Sequence, residues 1–86
     1  MKKFLVVAKD LLTEQSRSLG VIEAESKEAL VRQYGLNKGV KIQRMEYYWW
    51  RHLGEMLVFI HEVVDVEITN EKDFEKGIRQ FHADCY

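Results

Sequence analysis

The chain has 86 residues, of which 47% are hydrophobic and 31% charged, and it contains no proline. This length predicts one domain with a single core. The 13 basic and 14 acidic residues leave a net charge of −1 and are spread along the chain, which argues against a basic footprint for duplex nucleic acid and against an acidic mimic of one.

Cysteine usage and the longest N-terminal apolar run indicate the compartment. A single cysteine, Cys85, cannot form an internal disulfide, which fits a reducing environment. The run from Phe4 to Ala8 is too short for a signal peptide or a membrane span. We therefore expect a cytoplasmic protein.

The first half of the chain predicts two strands and a helix. Residues 2–12 are apolar on both parities near their start, which is typical of a central strand buried on both faces. Residues 13–18 are polar and turn-like, and residues 19–25 form a second strand that Gly20 weakens at its start. Ser26 can cap a helix over 26–34, with Glu28 in its first turn and Gly35 at its end.

The second half predicts a long β-hairpin followed by a helix. Strands over 39–52 and 55–68 flank Leu53-Gly54, where the glycine can take the positive φ of a tight turn. The helix over 70–82 carries Phe74, Ile78 and Phe81 on one side. The predicted fold is α+β, with the order ββαββα, a four-stranded mainly antiparallel sheet and both helices on one face.

The predicted hairpin has two apolar faces. If Leu53-Gly54 is the loop, Trp50 pairs with Leu57 and Tyr48 with Phe59, while Trp49 pairs with Val58. A β-bulge at Gln43-Arg44 is then needed to keep the outer half in register. The face expected in the core carries Met45, Tyr47, Trp49, Met56, Val58 and Ile60, and beyond the bulge Val40, Ile42, Val64, Val66 and Ile68.

The second apolar face needs a cover, since adjacent tryptophans point to opposite sides of a sheet and one core cannot bury both. Large exposed apolar patches usually mark interaction sites. We expect a homodimer through this face, or a partner protein docked on it. The predicted binding face consists of Tyr48, Trp50, Leu57 and Phe59, with Arg44, Glu46 and His61 beside them.

Two other ligands fit the same aromatic stretch. Aromatic side chains beside Lys41, Arg44 and Arg51 are typical of a stacking platform for single-stranded nucleic acid or for a nucleotide held in a pocket between protomers. The neighbouring carboxylates would repel phosphates, and a protein interface is the favoured interpretation. These carboxylates are Glu46, Glu62, Asp65 and Glu67.

Catalytic and metal chemistry find little support. His82 and Cys85 have a ligand-like spacing on a helix, but no second ligand pair accompanies them, so we predict no metal and no cofactor. His61 opposite Glu46 is more typical of a cross-strand ion pair on an open face than of an acid–base pair, although His61 could make association depend on pH. No phosphate loop or nucleophile motif is present, and we predict that the protein is not an enzyme.

The stretch Gly20-Val-Ile-Glu-Ala-Glu-Ser-Lys-Glu-Ala29, preceded by a strand like Phe4-Leu-Val-Val, resembles short phage-encoded proteins of unassigned function from low-GC Gram-positive hosts. The resemblance covers residues 3–34, and the chain departs from it by a single Glu-Ala where Glu-Glu-Ala is expected. It implies a phage or mobile-element origin and action in the host cytoplasm. Small proteins of that origin often bind and inhibit a host factor, anti-CRISPR proteins among them, and this is the function we expect here.

Overall fold

The computed structural model describes residues 1–39, 46–50, 52, 56–67 and 74–86. Within these ranges the chain is α+β, with the order ββαβββα. The elements are β1 (Lys2–Asp10), β2 (Ser16–Ala24), α1 (Lys27–Gln33), β3 (Leu36–Lys38), β4 (Tyr48–Trp50), β5 (Met56–Val63) and α2 (Phe74–Cys85). The α+β class is confirmed, and the described residues contain one more strand than the sequence predicted.

The strands form one antiparallel sheet in the order β2-β1-β5-β4-β3. The central position belongs to β5, which pairs with β1 from Lys3↔Val63 to Asp10↔Met56. β1 was predicted to be a central strand buried on both faces. It is internal but not central, and only one of its two apolar parities is fully buried. β3 is only three residues long and pairs with β4, from Leu36↔Trp50 to Lys38↔Tyr48. The sequence predicted a four-stranded sheet and did not predict β3.

The first hairpin turns earlier than the sequence predicted. β1 stops at Asp10, whose carboxylate Oδ1 accepts hydrogen bonds from the backbone N–H groups of Leu12 (2.9 Å) and Thr13 (3.0 Å). An aspartate that bonds its own following backbone is a turn former. β2 then begins at Ser16 and bulges opposite Val6 and Val7, where Gly20 has a φ of 118° that a residue with a Cβ rarely adopts.

The sequence predicted a helix over 26–34, and α1 covers Lys27–Gln33 with Ser26 as its N-cap and Tyr34 as its C-cap. The Ser26 side chain accepts a hydrogen bond from the backbone N–H of Ala29 at 3.1 Å, and Glu28 lies in the first turn. Gly35 follows the helix with a φ of 63°, the left-handed conformation of a helix-ending glycine. Leu30, fully buried, is the residue of α1 that enters the core.

The pairing of β4 with β5 differs from the predicted register by one residue. Tyr48 lies opposite Val58 and Trp49 opposite Leu57, whereas a loop of Leu53-Gly54 placed Tyr48 opposite Phe59. Because side chains alternate along a strand, this single step exchanges the faces of every residue in β4. Tyr48 and Trp50 are therefore in the core, and the prediction that they form the second face was wrong.

The long hairpin predicted over 39–52 and 55–68 is also corrected. β4 covers only Tyr48–Trp50, and β5 ends at Val63. Val64 is 77% exposed and Val66 is 38% exposed, so the prediction that they lie in the core was wrong. The predicted bulge at Gln43-Arg44, its apolar neighbours Val40 and Ile42, and the beginning of the second helix at residue 70 lie outside the described residues.

Both helices contribute to one core on one side of the sheet, which we call the inner face. The buried stripe of α2 is Phe74, Ile78 and Phe81, as its spacing predicted. These side chains and Leu30 cover the strand residues of the inner face, which come from all five strands: Phe4, Val6, Ala8, Leu19, Ile22, Ala24, Leu36, Tyr48, Trp50, Met56, Val58 and Ile60.

The C-terminal residues are tied to the first hairpin. The Tyr86 hydroxyl donates a hydrogen bond of 2.9 Å to Oδ1 of the buried Asp10, and Arg17 pairs with Asp84 at 2.7 Å. Burial alone would raise the pKa of Asp10, but the hydrogen bonds from Thr13, Tyr86 and Leu12 together hold that pKa below its ordinary value. Asp10 therefore stays ionised and fastens the last turn of α2 to the sheet.

Candidate functional site

The opposite side of the sheet carries a second apolar surface, which we call the outer face. Cross-strand pairs fix its membership, since directly opposed residues point to the same side. Leu5 lies opposite Val21, Val7 opposite Phe59, and Trp49 opposite Leu57. With Tyr47, which contacts Phe59, the outer face consists of Leu5, Val7, Val21, Tyr47, Trp49, Leu57 and Phe59.

An aromatic group forms one end of the outer face. The Tyr47 ring lies edge-on to Trp49, with centroids 5.8 Å apart, and tilted against Phe59 at 6.2 Å. Such offset arrangements are the favourable ones for aromatic pairs. The Tyr47 ring also lies against Gly39, whose backbone N–H donates to the Tyr47 carbonyl at 3.0 Å.

Gly39 is required by this packing. A Cβ at Gly39 would overlap Cε2 of Tyr47 and would lie 3.0 Å from Nε1 of Trp49, so the Tyr47 ring could not keep its position. Gly39 directly follows the edge strand β3. An aromatic ring laid over a glycine at the edge of a sheet is a recognised way to stabilise such a glycine. The position of the Tyr47 ring therefore depends on a residue without a side chain at position 39.

The described helices pack on the other side of the sheet, yet the outer face is not equally exposed throughout. Tyr47, Leu57 and Val21 are buried, whereas Trp49 and Phe59 remain half-buried. Charged residues lie at the border of the outer face. Lys9 is on this side of the sheet because it lies opposite Leu57, and Lys3 and Glu23 lie opposite each other on the same side. The described part of the outer face is therefore an apolar strip with a slightly basic rim.

The structure divides the predicted binding residues between the two faces. Leu57 and Phe59 lie on the outer face, and the exposed His61 lies beside them, opposite Leu5. Tyr48 and Trp50 lie on the inner face, with Trp50 0% exposed. Arg44 lies outside the described residues.

The sequence predicted that Glu46 faces His61. Glu46 instead lies towards α1. Its Oε2 is 3.8 Å from Nζ of Lys27, and its carboxylate accepts a hydrogen bond from the Tyr48 hydroxyl. Burial, then the negative charges of Glu46 and Glu28, raise the pKa of the Tyr48 hydroxyl above its ordinary value. The predicted His61–Glu46 pair is replaced by a contact that joins β4 to the first helix.

His82 and Cys85 have separate surroundings at the end of α2. The Cys85 thiol lies 3.6 Å from Oε1 of Gln15, and the His82 ring lies 4.7 Å from that of Tyr86. Within the described ranges, no three histidine, cysteine or acidic side chains form a group that could hold a metal ion.

Sequence reasoning missed the aliphatic half of the outer face. The sequence predicted Leu5 and Val7 to be buried in a central strand, but it assigned Val21 to neither face of the sheet. The signal was present, because β1 alternates Phe4, Val6 and Ala8 with Leu5 and Val7. Two apolar parities on a strand of a sheet with helices on one side imply a second apolar face.

Comparison with protein-family models, with curated proteins and with solved structures finds no match for this chain. Among the helices of the described residues, none is long and apolar enough to cross a membrane.

Proposed function

We propose that this is a non-enzymatic binding protein that docks another protein on its outer face. The observation that carries the proposal is the row of apolar and aromatic side chains on the side of the sheet away from both described helices. Aromatic residues are enriched where proteins bind each other. On the outer face Leu5, Val7, Trp49 and Phe59 are only partly buried, so part of their apolar surface is available to a partner.

The rim decides between a second copy of the chain and a different partner. Lys3 and Lys9 flank the apolar strip, and Glu23 is the one acidic residue opposite them in the paired strands. A second copy would bring a rim of the same sign against this one, and like charges oppose association. A partner with an apolar patch and an acidic rim is the better complement. The resemblance to phage-encoded proteins adds the expectation that this partner is a host protein and that binding inhibits it.

The test begins with the solution mass of the wild-type protein and of Trp49→Glu, by light scattering. We expect a monomer in both cases, because the proposed occupant is a different protein. A wild-type dimer that Trp49→Glu converts to a monomer would assign the face to self-association instead, the homodimer expected from the sequence.

The second step uses both proteins as bait and reconstitutes any captured partner from purified components. We expect wild type to bind in a defined ratio and Trp49→Glu to lose binding. Leu12→Glu is the matched control, since it puts the same charge on an exposed apolar residue of the first turn, 71% exposed. Equal losses with both variants would refute the outer face as the site, and a steep fall of affinity with salt towards single-stranded DNA would favour nucleic acid.

A further inference from the structure

An open cleft lies on the helical side of the molecule, between the end of α1 and α2. Its volume is about 750 Å³, within the range of roughly 300–1,000 Å³ that small-molecule sites occupy. Because the sheet separates it from the outer face, it belongs to a different site. We call it the interhelical cleft, and its principal lining residues are Tyr34, Phe74, Glu75, Lys76, Arg79 and Gln80.

Arg79 lies at this cleft with its guanidinium over the ring of Trp50. Its guanidinium carbon lies 5.0 Å from the centroid of the Trp50 ring, and Trp50 itself is 0% exposed. A guanidinium held over an aromatic ring by a cation–π contact still has N–H donors available to an anion. No carboxylate among the described residues forms an ion pair with Arg79.

Lys76 adds a second cation one helical turn away. The acidic lining residue Glu75 is spaced to reach Arg79 along the helix, yet the described residues show no ion pair between them. Two cations against one carboxylate leave these lining residues with an excess of positive charge. An oxyanion would complement this charge and could accept paired hydrogen bonds from the guanidinium.

The remaining wall is flat and apolar. Tyr34 and Phe74 stack with ring centroids 4.4 Å apart and planes 21° from parallel, and both line the cleft. Since Phe74 is 1% exposed, the half-buried Tyr34 presents most of this wall to the cleft. Aromatic side chains favour ligands with a flat ring that can pack against them.

We infer that the interhelical cleft binds a small molecule in which a flat ring carries a carboxylate or phosphate group. The oxyanion meets Arg79 and Lys76, and the ring packs against Tyr34. This site is independent of the docking surface proposed above and lies within a single chain, not between protomers.

The test is a titration of the 15N-labelled full chain, followed by NMR, with phenyl phosphate, benzoate, inorganic phosphate and benzyl alcohol. We expect saturable shifts at the backbone amides of Lys76 and Arg79 and at the Trp50 indole N–H for the two ring-bearing anions. Inorganic phosphate should bind more weakly and benzyl alcohol should not bind. The ratio of the affinities for phenyl phosphate and benzoate then identifies the preferred anion.

Variants assign the role of the cations. Arg79→Gln should weaken binding by about tenfold or more, the factor expected for one lost charge-assisted hydrogen bond. Lys76→Gln should weaken it less, and it provides a second measurement if Arg79→Gln perturbs Trp50. Arg32→Gln is the matched control, because Arg32 lies in the last turn of α1 and is not a lining residue.

Three outcomes would overturn the inference. The first is the absence of saturable shifts, and the second is an equal loss with Arg79→Gln and Arg32→Gln. The third is tighter binding of an oligoglutamate peptide than of either ring-bearing anion, which would assign the cleft to an acidic protein segment. Because none of these depends on Trp49, failure here leaves the docking proposal unaffected.

Discussion

The two faces of the sheet carry similar apolar side chains but differ in how they are covered. On the inner face, Trp50 is fully buried beneath the helical layer and is capped by Arg79. On the outer face its chain neighbour Trp49 is half-buried and packs edge-on against Tyr47. Two identical residues, adjacent in sequence, should therefore contribute to different free energies: Trp50 to folding and Trp49 to binding. Truncating one should test folding, and truncating the other should test binding.

The sharpest test of this comparison is Trp50→Ala against Trp49→Ala. Trp50→Ala should lower the free energy of unfolding by about 3–5 kcal/mol, the usual cost of removing a large aromatic from a packed core. Trp49→Ala should cost about 1 kcal/mol or less, since surface changes are usually small. Urea unfolding measures both. Similar losses for the two variants would mean that the outer face is as closed as the inner one.

Asp10 tests how strongly the inner layer depends on its C-terminal attachment. Asp10→Asn should cost about 1.5–3 kcal/mol at neutral pH, the range for hydrogen bonds to a charged group. Asp84→Asn is the control and should cost less, because its pair with Arg17 is exposed to solvent.

The pH dependence of this effect follows from the lowered pKa of Asp10. The stabilisation is fully present above the ordinary aspartate pKa of about 4 and is lost as the pH falls through the lower pKa of the folded state. Unfolding curves at descending pH should therefore show wild type converging on Asp10→Asn. A difference that stays constant down to strongly acidic pH would contradict this assignment.

Tyr34, on the helical side of the sheet, has a buried polar atom that is not satisfied by the described residues. Its hydroxyl is buried and has no hydrogen-bond partner among the residues that the structure describes, and burial raises the pKa of this hydroxyl. Because an unsatisfied buried polar group costs free energy, Tyr34→Phe should be neutral or stabilising by up to about 1 kcal/mol. Thermal unfolding checks the sign. A clear loss of stability would show that the hydroxyl has a partner in solution.

The smallest expected effect is at Gly77, within α2. A Cβ there would meet Cδ2 of Leu19 at 3.5 Å, an ordinary packing distance. Gly77→Ala should therefore stabilise the protein by about 0.5–1 kcal/mol, the difference in helix propensity between the two residues. A decrease in the melting temperature would indicate that the helix lies closer to β2 than this distance allows.

The sequence predicted those elements whose signals are local. The Ser26 cap, the glycine after α1 and the Phe74, Ile78 and Phe81 stripe all depend on neighbours within one or two helical turns, and all three are confirmed. The start of β2 was missed because Ser16, Arg17 and Ser18 are exposed and polar, as edge positions can be. β3 was missed because three residues carry too little pattern to predict a strand.

The candidate site was mispredicted for a different reason. Residues 47–50 are all aromatic and residues 57–60 are all apolar, so a shift of one residue still pairs apolar with apolar. Register is well specified where one face is polar and poorly specified where both are apolar. The sequence could therefore predict that a second apolar face exists, but it could not decide whether Trp49 or Trp50 lies on it.

The central position of β5 has a consequence for how the chain folds. One edge of β1 can pair only after β5 has been made, because Asp10 pairs with Met56 and Lys3 with Val63. β5 follows both β3 and β4 in sequence. Such distant pairings are slow to form, because the loop entropy is lost before the contacts are gained. Until β5 arrives, β1 lacks its second neighbour and exposes both Leu5 and Phe4. During most of its synthesis the chain therefore has an unpaired strand edge with exposed apolar side chains. Any chaperone that assists folding should bind the first hairpin.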